Sequence, residues 1–351
     1  MTMIQAYQMT VRNQPFERTS YPVPGLLPGE ALVQVAGCGV CHTDLSFWHY
    51  GVPTRKELPL TLGHEISGIV VDGPADLIGK SVVIPAVLPC GDCDLCRDGR
   101  SNICQKQRMP GNDFHGGFAS HIVVPSRFLA VVPDSVLARY KLAELAVIAD
   151  AVSTPLQVIK KSGLKAGDLA IIIGVGGVGL YAALLAKIAG AKVLALDLSQ
   201  SRLDLLAQAG VTSTLNTSGL NVKEIKDRVK AACKEMGAPP YGWKIYEVSG
   251  TATGQELGFA LLGIAGVLSV VGFTLDKLEV RLSNLMAFDA QVIGTWGCRP
   301  ELYGEAIRMV GDGSLNLAPF TKTHPLSQIN DVFQQALDHK LLQRAVLVPD
   351  F

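Results

Sequence analysis

The middle of the chain alternates between short apolar runs and longer segments with helical spacing of apolar residues. The run LAIII at 169–173 is rich in β-branched residues and predicts a buried strand. The segment LYAALLAKIAG that follows predicts a helix ended by Gly190, and KVLALD at 192–197 predicts the next strand. Helices and strands continue to alternate through the rest of 152–294. This alternation predicts an α/β fold with a doubly wound parallel sheet and right-handed crossovers.

The segments on either side of this sheet carry another pattern. Before it, short Val-rich runs such as EALVQVAG and SVVIPAV are punctuated by Gly and Pro, which is typical of an irregular, mostly β domain. After it, two helical segments precede a final strand at 344–350. We expect that tail to fold back onto the N-terminal part. The predicted domains are therefore 152–294, and a second domain made of 1–151 plus 295–351.

A glycine-rich turn joins the first two strands of the predicted sheet. GVGGVG at 174–179 lies between a strand and a helix, where glycines permit a tight turn and close approach of a pyrophosphate to the helix N-terminus. Asp197 ends the second strand and is placed to accept hydrogen bonds from the adenosine ribose, whereas its charge would repel a 2′-phosphate. The sequence therefore predicts a site for NAD rather than NADP. The predicted contacts are Gly174, Gly176, Gly177, Val178, Gly179 and Asp197.

Composition and charge exclude several classes of function. The chain has 351 residues, of which 48% are hydrophobic, and this is enough for two packed domains. Its 31 basic and 31 acidic residues cancel, so we expect no nucleic-acid or membrane partner. The apolar stretch 169–186 has the length of a membrane span, but its four glycines favour the strand–turn–helix interpretation. No secretory signal is visible, and we expect a cytoplasmic protein.

Four cysteines fall in the short polar stretch 90–104, CGDCDLCRDGRSNIC. Their spacing is C-x2-C-x2-C-x7-C, and clustered cysteines in a reducing compartment more often bind metal than form disulfides. Four thiolates fill the coordination sphere of zinc and leave no open position, which is typical of a structural site. An iron–sulfur cluster and disulfides are the alternatives. The predicted ligands of this zinc lobe are Cys90, Cys93, Cys96 and Cys104.

Three separated segments supply a second set of candidate ligands. GCGVCHTD at 37–44 contains Cys41, LGHE at 62–65 contains His64, and IADAVSTP contains Asp150. One thiolate, one imidazole and one carboxylate form a three-ligand zinc site with a fourth position open, the pattern of catalytic zinc.

Each of these residues also has a plainer interpretation. Cys38 and Cys41 form a C-x-x-C that could be a redox pair, although the expected surrounding sequence is missing. His64 could be a core histidine. Asp150 could be the N-cap of a helix that begins near Val152. The residues alone leave these alternatives open.

The motifs together resemble the zinc-containing medium-chain alcohol dehydrogenase family over nearly the whole chain. GVCHTD, GHE, the four-cysteine lobe and GVGGVG stand in the order of that family. The resemblance implies a GroES-like catalytic domain with an inserted Rossmann domain. It also implies NAD-dependent oxidation of an alcohol, with one structural and one catalytic zinc per chain.

The resemblance also implies roles for individual residues. Cys41 and His64 would be catalytic zinc ligands, and Asp150 stands where the best-known members carry Cys and some secondary-alcohol members carry Asp. Thr43 would accept the alcohol proton and pass it on. His42 would lie near the pyrophosphate, where the proton leaves to solvent. Glu65 would be an alternate zinc ligand or would contact the ligands from outside the coordination sphere of the metal. Arg202 would lie beside the adenosine ribose and Arg344 near the pyrophosphate, and Val248 and Gly272 would lie along the cofactor.

The segment FWHYGVPTRKELPL lies between two ligand segments and is expected to wall the substrate pocket. Trp48 and Tyr50 suggest a ring-shaped or bulky apolar group, and Arg55 suggests a distant anion such as a phosphate, with a solvated loop residue as the alternative. SFWHYGVPTR, PCGDCDLCR and MPGNDFHGGFASH resemble family members that oxidise a ring alcohol on a coenzyme A thioester in anaerobic benzoate degradation.

Other readings of the sequence stay open beside this one. A free cyclic or secondary alcohol is the alternative substrate. An NAD-binding or zinc-ribbon protein without turnover is the alternative from another class, and salt-dependent binding to nucleic acid would support the zinc ribbon. We expect a homo-oligomer, either a dimer or a tetramer.

Overall fold

The computed structural model describes residues 2–211 and 213–351. The chain divides into two compact units. One unit is Thr154–Trp296, and the other is formed by the described residues before it and by Gly297–Phe351. The boundaries predicted from the sequence lie two residues earlier in each case.

The described residues form fifteen strands and eleven α-helices. The strands are β1 (Met3–Gln8), β2 (Glu17–Pro22), β3 (Glu30–Gly39), β4 (Glu65–Asp72), β5 (Ser81–Ile84), β6 (His121–Pro125), β7 (Ala130–Val131), β8 (Leu169–Ile173), β9 (Lys192–Asp197), β10 (Thr214–Asn216), β11 (Lys244–Glu247), β12 (Val267–Val270), β13 (Gln291–Gly294), β14 (Thr321–Pro325) and β15 (Arg344–Val348). The helices are α1 (His42–Trp48), α2 (Asp94–Arg97), α3 (Asp134–Leu137), α4 (Ser153–Lys161), α5 (Gly177–Ile188), α6 (Gln200–Gln208), α7 (Val222–Glu235), α8 (Ala252–Leu261), α9 (Ser283–Phe288), α10 (Tyr303–Gly311) and α11 (Ile329–Leu337).

The unit Thr154–Trp296 is built on a six-stranded parallel sheet. Its strand order is β10-β9-β8-β11-β12-β13, so the order reverses between β8 and β11. A core cluster that includes Leu169, Ile171 and Leu194 covers the sheet. In such sheets ligands bind at the carboxyl ends of the strands, beside the point of reversal. The predicted doubly wound α/β fold is confirmed.

The other unit joins sequence segments from both sides of that sheet. Its main sheet has the order β14-β15-β3-β4-β5-β7, with β6 also paired to β3, and β1 and β2 form a separate hairpin. Strand β15 pairs antiparallel with β3, where Val346 faces Gly39 and Leu347 faces Cys38. The tail of the chain therefore completes the sheet that the N-terminal part begins.

One helical stretch in the described part of the chain, Leu142–Lys161, is long and apolar enough to span a membrane. It comprises a 3-10 helix, Leu142–Ala149, and α4, and 78% of its apolar window is buried inside the protein. Core helices of globular domains pass the same length and composition test. The apolar run 169–186 is not one helix, since β8, a glycine turn and most of α5 share it.

Candidate active site

Four potential metal ligands meet where β4, α1 and the end of the 3-10 helix Leu142–Ala149 come together. Cys41 precedes α1, His64 and Glu65 stand at the start of β4, and Asp150 follows the 3-10 helix. One ligand atom from each of these residues lies within 4.8 Å of the others. The three ligands predicted from the sequence are therefore close together, with Glu65 as a fourth.

Asp150 points its carboxylate at the other two predicted ligands. Its Oδ2 lies 3.6 Å from Cys41 Sγ and 3.8 Å from His64 Nε2. Helix α4 begins at Ser153, three residues further on. The placement of the carboxylate favours the ligand interpretation over the N-cap interpretation.

Asp44 links two ligand segments of this site, although no role was predicted for it from the sequence. Its side chain is fully buried, and its two oxygens accept hydrogen bonds of 3.0 Å from the backbone N–H groups of Cys41 and Gly63. Its Oδ1 also lies 3.4 Å from Nδ1 of His64. Asp44 thereby ties the two ligand segments together, and its negative charge lies next to the imidazole, where carboxylates behind metal-bound histidines stand. Its place three residues after Cys41, in the first turn of a helix, was the available signal.

Glu65 and Arg344 form a buried ion pair beside the ligands. Arg344 Nε donates to Glu65 Oε2 at 3.0 Å, and a second guanidinium nitrogen donates to Oε1. Burial raises the pKa of Glu65, and the positive charge of Arg344 opposes that rise. Because both oxygens of Glu65 face Arg344, Glu65 is placed more as a partner of this arginine than as a ligand.

The donor set suits a divalent cation. Burial alone would lower the pKa of His64, but Asp44, Asp150 and Cys41 together raise it well above its usual value. The surroundings of the imidazole thus attract positive charge. A thiolate, an imidazole and a carboxylate are ligands that zinc accepts, so these residues fit a zinc ion.

The residues expected to relay the proton lie beside this group. Thr43 Oγ1 is 3.7 Å from Cys41 Sγ. The ring of His42 stacks on that of Tyr50, with 5.8 Å between the ring centroids. Burial lowers the pKa of His42, and the positive charges of His339 and Arg344 lower it further.

The three predicted substrate residues have different surroundings. Trp48 is buried in the core, where its ring stacks on Phe16 and its Nε1 donates to the carbonyl of Gln14 at 2.8 Å. Tyr50 is 44% exposed beside His42. Arg55 is exposed and pairs with Asp113 at 3.1 Å. Tyr50 and Arg55 are therefore accessible to a ligand, whereas Trp48 mainly packs the core.

Cys38 and Cys41 form no disulfide. Both thiols are free, and Cys38 lies fully buried in the apolar core of its unit. Its sulfur fills space beside Gly63, where an added Cβ would come within 2.6 Å of Sγ. Cys38 therefore packs against the ligand segment.

The four cysteines of the lobe 90–104 converge around one point. Neighbouring sulfurs are 3.5 Å apart for Cys93 and Cys96, 3.6 Å for Cys93 and Cys104, and 3.5 Å for Cys104 and Cys90. No disulfide is present among the described residues. A hydrogen bond from the backbone N–H of Asp92 lowers the pKa of Cys90 to about 6, whereas burial and the neighbouring thiols raise that of Cys96 to about 12. Four sulfurs around one point form a ligand set that fits zinc, which binds four thiolates in structural sites.

The glycine turn of the parallel sheet has the shape expected for a pyrophosphate. Gly174 has a φ of +89°, which L side chains rarely adopt. A Cβ at Gly179 would lie 1.8 Å from the carbonyl oxygen of Gly174, so the helix packs tightly on the strand. At Gly176, which precedes α5, an added Cβ would meet open space. The turn thus leaves room for a phosphate at the helix N-terminus.

The other predicted cofactor residues surround the same edge of the sheet. Asp197 ends β9 and accepts hydrogen bonds from the backbone N–H groups of Val175 at 2.7 Å and Ser199 at 2.8 Å. Arg202 follows on α6, and Val248 and Gly272 follow β11 and β12. All of these positions lie at the carboxyl ends of parallel strands. Arg344, in the other unit, is the exception, because its guanidinium is paired with Glu65.

Two family models match the chain. Residues 27–134 match the alcohol dehydrogenase GroES-like domain, and residues 177–312 match the zinc-binding dehydrogenase domain. An alcohol dehydrogenase of Geobacillus stearothermophilus is 31% identical over 92% of this chain and 93% of its own. A 2-dehydro-3-deoxy-L-galactonate 5-dehydrogenase of Pseudoalteromonas atlantica is 28% identical over 87% of both chains.

Solved structures show the same architecture. The alcohol dehydrogenase of the archaeon Aeropyrum pernix is 27% identical, with a TM-score of 0.85 over 98% of this chain and 100% of its own. Fold, enzyme class and cofactor class are confirmed: a GroES-like and a Rossmann-like domain, oxidation of a CH–OH group, and zinc with a nicotinamide dinucleotide. The chain belongs to the zinc-binding alcohol dehydrogenase family.

Proposed function

We propose that this enzyme oxidises the secondary alcohol of a six-membered ring carried on a coenzyme A thioester. The substrate is 6-hydroxycyclohex-1-ene-1-carbonyl-CoA and the product is 6-oxocyclohex-1-ene-1-carbonyl-CoA, a step of anaerobic benzoate degradation. Alcohol and NAD⁺ give ketone, NADH and a proton. The observation that supports the chemistry is the convergence of Cys41, His64 and Asp150, with Glu65, within 4.8 Å.

Cys41, His64 and Asp150 would hold the catalytic zinc, with Glu65 behind them. Zinc at this place would supply Lewis-acid chemistry that lowers the pKa of a substrate hydroxyl. Asp44 places a negative charge 3.4 Å from Nδ1 of His64. The lobe cysteines Cys90, Cys93, Cys96 and Cys104 would hold the structural zinc.

Thr43 and His42 would move the hydroxyl proton to solvent. The Thr43 hydroxyl is 3.7 Å from the sulfur of Cys41, so it stands at the edge of the ligand group and can accept the substrate proton. His42, the residue before it, would pass the proton on. NAD, held at the glycine turn, would accept the hydride.

The acyl-CoA part of the proposal depends on the resemblance of SFWHYGVPTR and MPGNDFHGGFASH to enzymes of that activity. The first segment contributes the accessible Tyr50 and Arg55, and the second contributes Asn112 and Asp113, which both bind Arg55. The two segments thus lie side by side. An exposed arginine suits the phosphates of coenzyme A.

A free cyclic or secondary alcohol is the second candidate substrate. The relatives named above support it, because their names refer to alcohols and to a sugar acid without coenzyme A. The same ligand group and relay would serve that reaction.

A substrate panel separates these candidates. NADH formation is measured with the CoA ester, cyclohex-2-en-1-ol, cyclohexanol and an acyclic secondary alcohol. We expect kcat/KM for the CoA ester to exceed that for the free ring alcohol by about 100-fold, since remote binding energy accelerates the reaction. Arg55→Ala should raise KM for the CoA ester alone. Equal kcat/KM values for the CoA ester and the free ring alcohol would favour the free alcohol as the substrate.

We also propose a cytoplasmic homo-oligomer, either a dimer or a tetramer. Strand β13 is one of the two edge strands of the parallel sheet, with β10 at the other edge. Val292 on β13 and four apolar side chains of the segment between β12 and β13 are exposed, namely Phe273, Leu275, Leu282 and Met286. An exposed apolar edge strand is a template for pairing, and two copies of one edge can pair about a two-fold axis.

A further inference from the structure

Glu247 is a buried carboxylate that has no role in the proposed reaction. It ends β11, the central strand next to the point where the strand order reverses, and its side chain is fully buried. Its Oε1 accepts hydrogen bonds from the backbone N–H groups of Ser249 at 2.8 Å and Gly250 at 3.1 Å, and from the hydroxyl of Ser249 at 2.5 Å. Its Oε2 has no hydrogen-bond partner in the part of the chain that the structure describes.

This carboxylate lies where three loops of the nucleotide unit come together. A Cβ added to Gly272 would be 2.2 Å from the nitrogen of Gly250 and 2.9 Å from Glu247 Oε2. A Cβ added to Gly174, in the glycine turn, would be 2.8 Å from Cα of Ser249. The loop 248–251 is therefore packed between the glycine turn and Gly272, and Glu247 fills the space below it.

We propose that Glu247 is a positioning residue for the dinucleotide. Its hydrogen bonds hold the loop 248–251 in place between the glycine turn and Gly272 before the cofactor binds. It acts through these backbone segments and does not touch the cofactor itself, because its side chain is covered. Preset loops lower the cost of ordering the site when a ligand binds.

Hydrogen bonds and a helix N-terminus offset the cost of burying the charge of Glu247. Burial raises the pKa of Glu247, and hydrogen bonds from Ser249 and Gly250 oppose that rise. Helix α8 begins five residues later, and a Cβ at Gly254 in its first turn would be 2.8 Å from Oε1. The positive end of the helix dipole therefore faces the carboxylate and favours its charge.

The test compares variants at Glu247 by their affinity for NADH, measured by fluorescence titration without substrate. Glu247→Gln keeps the shape and the Oε1 acceptor, and we expect its Kd within about twofold of wild type. Glu247→Met has a similar length and no acceptor, and its Kd should rise about tenfold, because the loop loses the bonds that hold it. In turnover assays the KM for NAD should rise by the same factor while kcat at saturating NAD stays unchanged.

Two further variants keep the inference falsifiable. Ser269→Ala removes another buried polar group of this sheet, one without a hydrogen-bond partner among the described residues, and should leave the Kd for NADH unchanged. If Glu247→Met does not fold, Glu247→Asp keeps the charge but draws the acceptor back from the loop by one methylene, and it should raise the Kd for NADH instead. An unchanged Kd in Glu247→Met, or equal losses in the Gln and Met variants, would overturn the inference. These titrations need no substrate, so their outcome is independent of the proposed reaction.

Discussion

At the scale of single residues, Asp150 decides whether the zinc mechanism holds. We expect Asp150→Ala and Asp150→Asn to lower kcat at least 100-fold and to lose the catalytic zinc, because the ion would keep two of three protein ligands. The thermal midpoint should change little. Zinc content, thermal midpoint and kcat are measured on one preparation.

The control for this prediction is Asp134→Ala, an exposed aspartate at the start of α3 in the same unit. It should keep zinc and kcat. If Asp150→Ala stays stable, retains two zinc ions and keeps most of its kcat, the ligand role is rejected, and an N-cap role would instead show as a stability loss of about 1 kcal/mol.

Asp197 governs the choice between NAD and NADP. Wild type should prefer NAD, and Asp197→Gly should narrow that preference by about tenfold or more, because the repulsion of a 2′-phosphate is removed and Arg202 remains nearby. Activity with NAD should also fall, since the carboxylate anchors the N–H of Val175 in the glycine turn. Asp197→Asn, which keeps an acceptor for that bond, is the matched control. Equal wild-type kcat/KM for the two cofactors would contradict the prediction.

The site residues that could be recognised from the sequence are those whose residue type and spacing form a known motif. Cysteines at ligand spacing, a glycine turn and an acid at the end of a strand are of this kind. Asp44 and Glu247 went unrecognised, because acids that accept from backbone N–H groups two or three residues away are common in loops and helix starts, and only the fold shows that both side chains are fully buried. Trp48 was assigned a substrate role from the sequence but packs in the core, because the residue pattern around it does not distinguish a core aromatic from one that lines a pocket.

At the scale of elements, the cysteine lobe is a structural insert that depends on its metal. Cys96→Ser should reduce zinc from two ions to one per chain and lower the thermal midpoint by at least about 5 °C, since about 1 kcal/mol corresponds to about 2–4 °C in a domain of about 150–250 residues. The exposed Asp98 in the same lobe provides the control Asp98→Ala, with full zinc and an unchanged midpoint. Iron and sulfide in the purified protein would refute the zinc assignment.

The elements of the parallel sheet follow the sequence pattern closely. The predicted strands 169–173 and 192–197 coincide with β8 and β9, because buried parallel strands are continuous apolar runs. Helix ends were less predictable: α5 begins at Gly177, inside the glycine turn, and α8 ends at Leu261 where the apolar pattern continues to 266. The order of the strands in the other unit's sheet depends on pairings between distant segments, which periodicity does not encode.

At the scale of the whole molecule, the apolar surroundings of β13 bear on assembly. We expect Val292→Lys to convert the oligomer to monomers, because a buried lysine at the edge would be costly to desolvate. Light scattering after size exclusion gives the mass. Val71→Lys, a similarly exposed valine on β4, should leave the mass unchanged. A monomeric wild type at micromolar concentration would contradict the proposed assembly.

The pairing of β15 with β3 has a consequence for synthesis on the ribosome. Arg344, the partner of the buried Glu65 carboxylate, follows it by 279 residues. At a synthesis rate of roughly 5–20 residues per second, Arg344 is added to the chain about 14–56 s after Glu65. The continuous segment Thr154–Trp296 leaves the ribosome complete during this interval. The nascent chain therefore carries a complete nucleotide unit and an incomplete catalytic sheet. The end of β3 at Cys38 and Gly39, which β15 later pairs, is the segment that a chaperone would have most reason to shield.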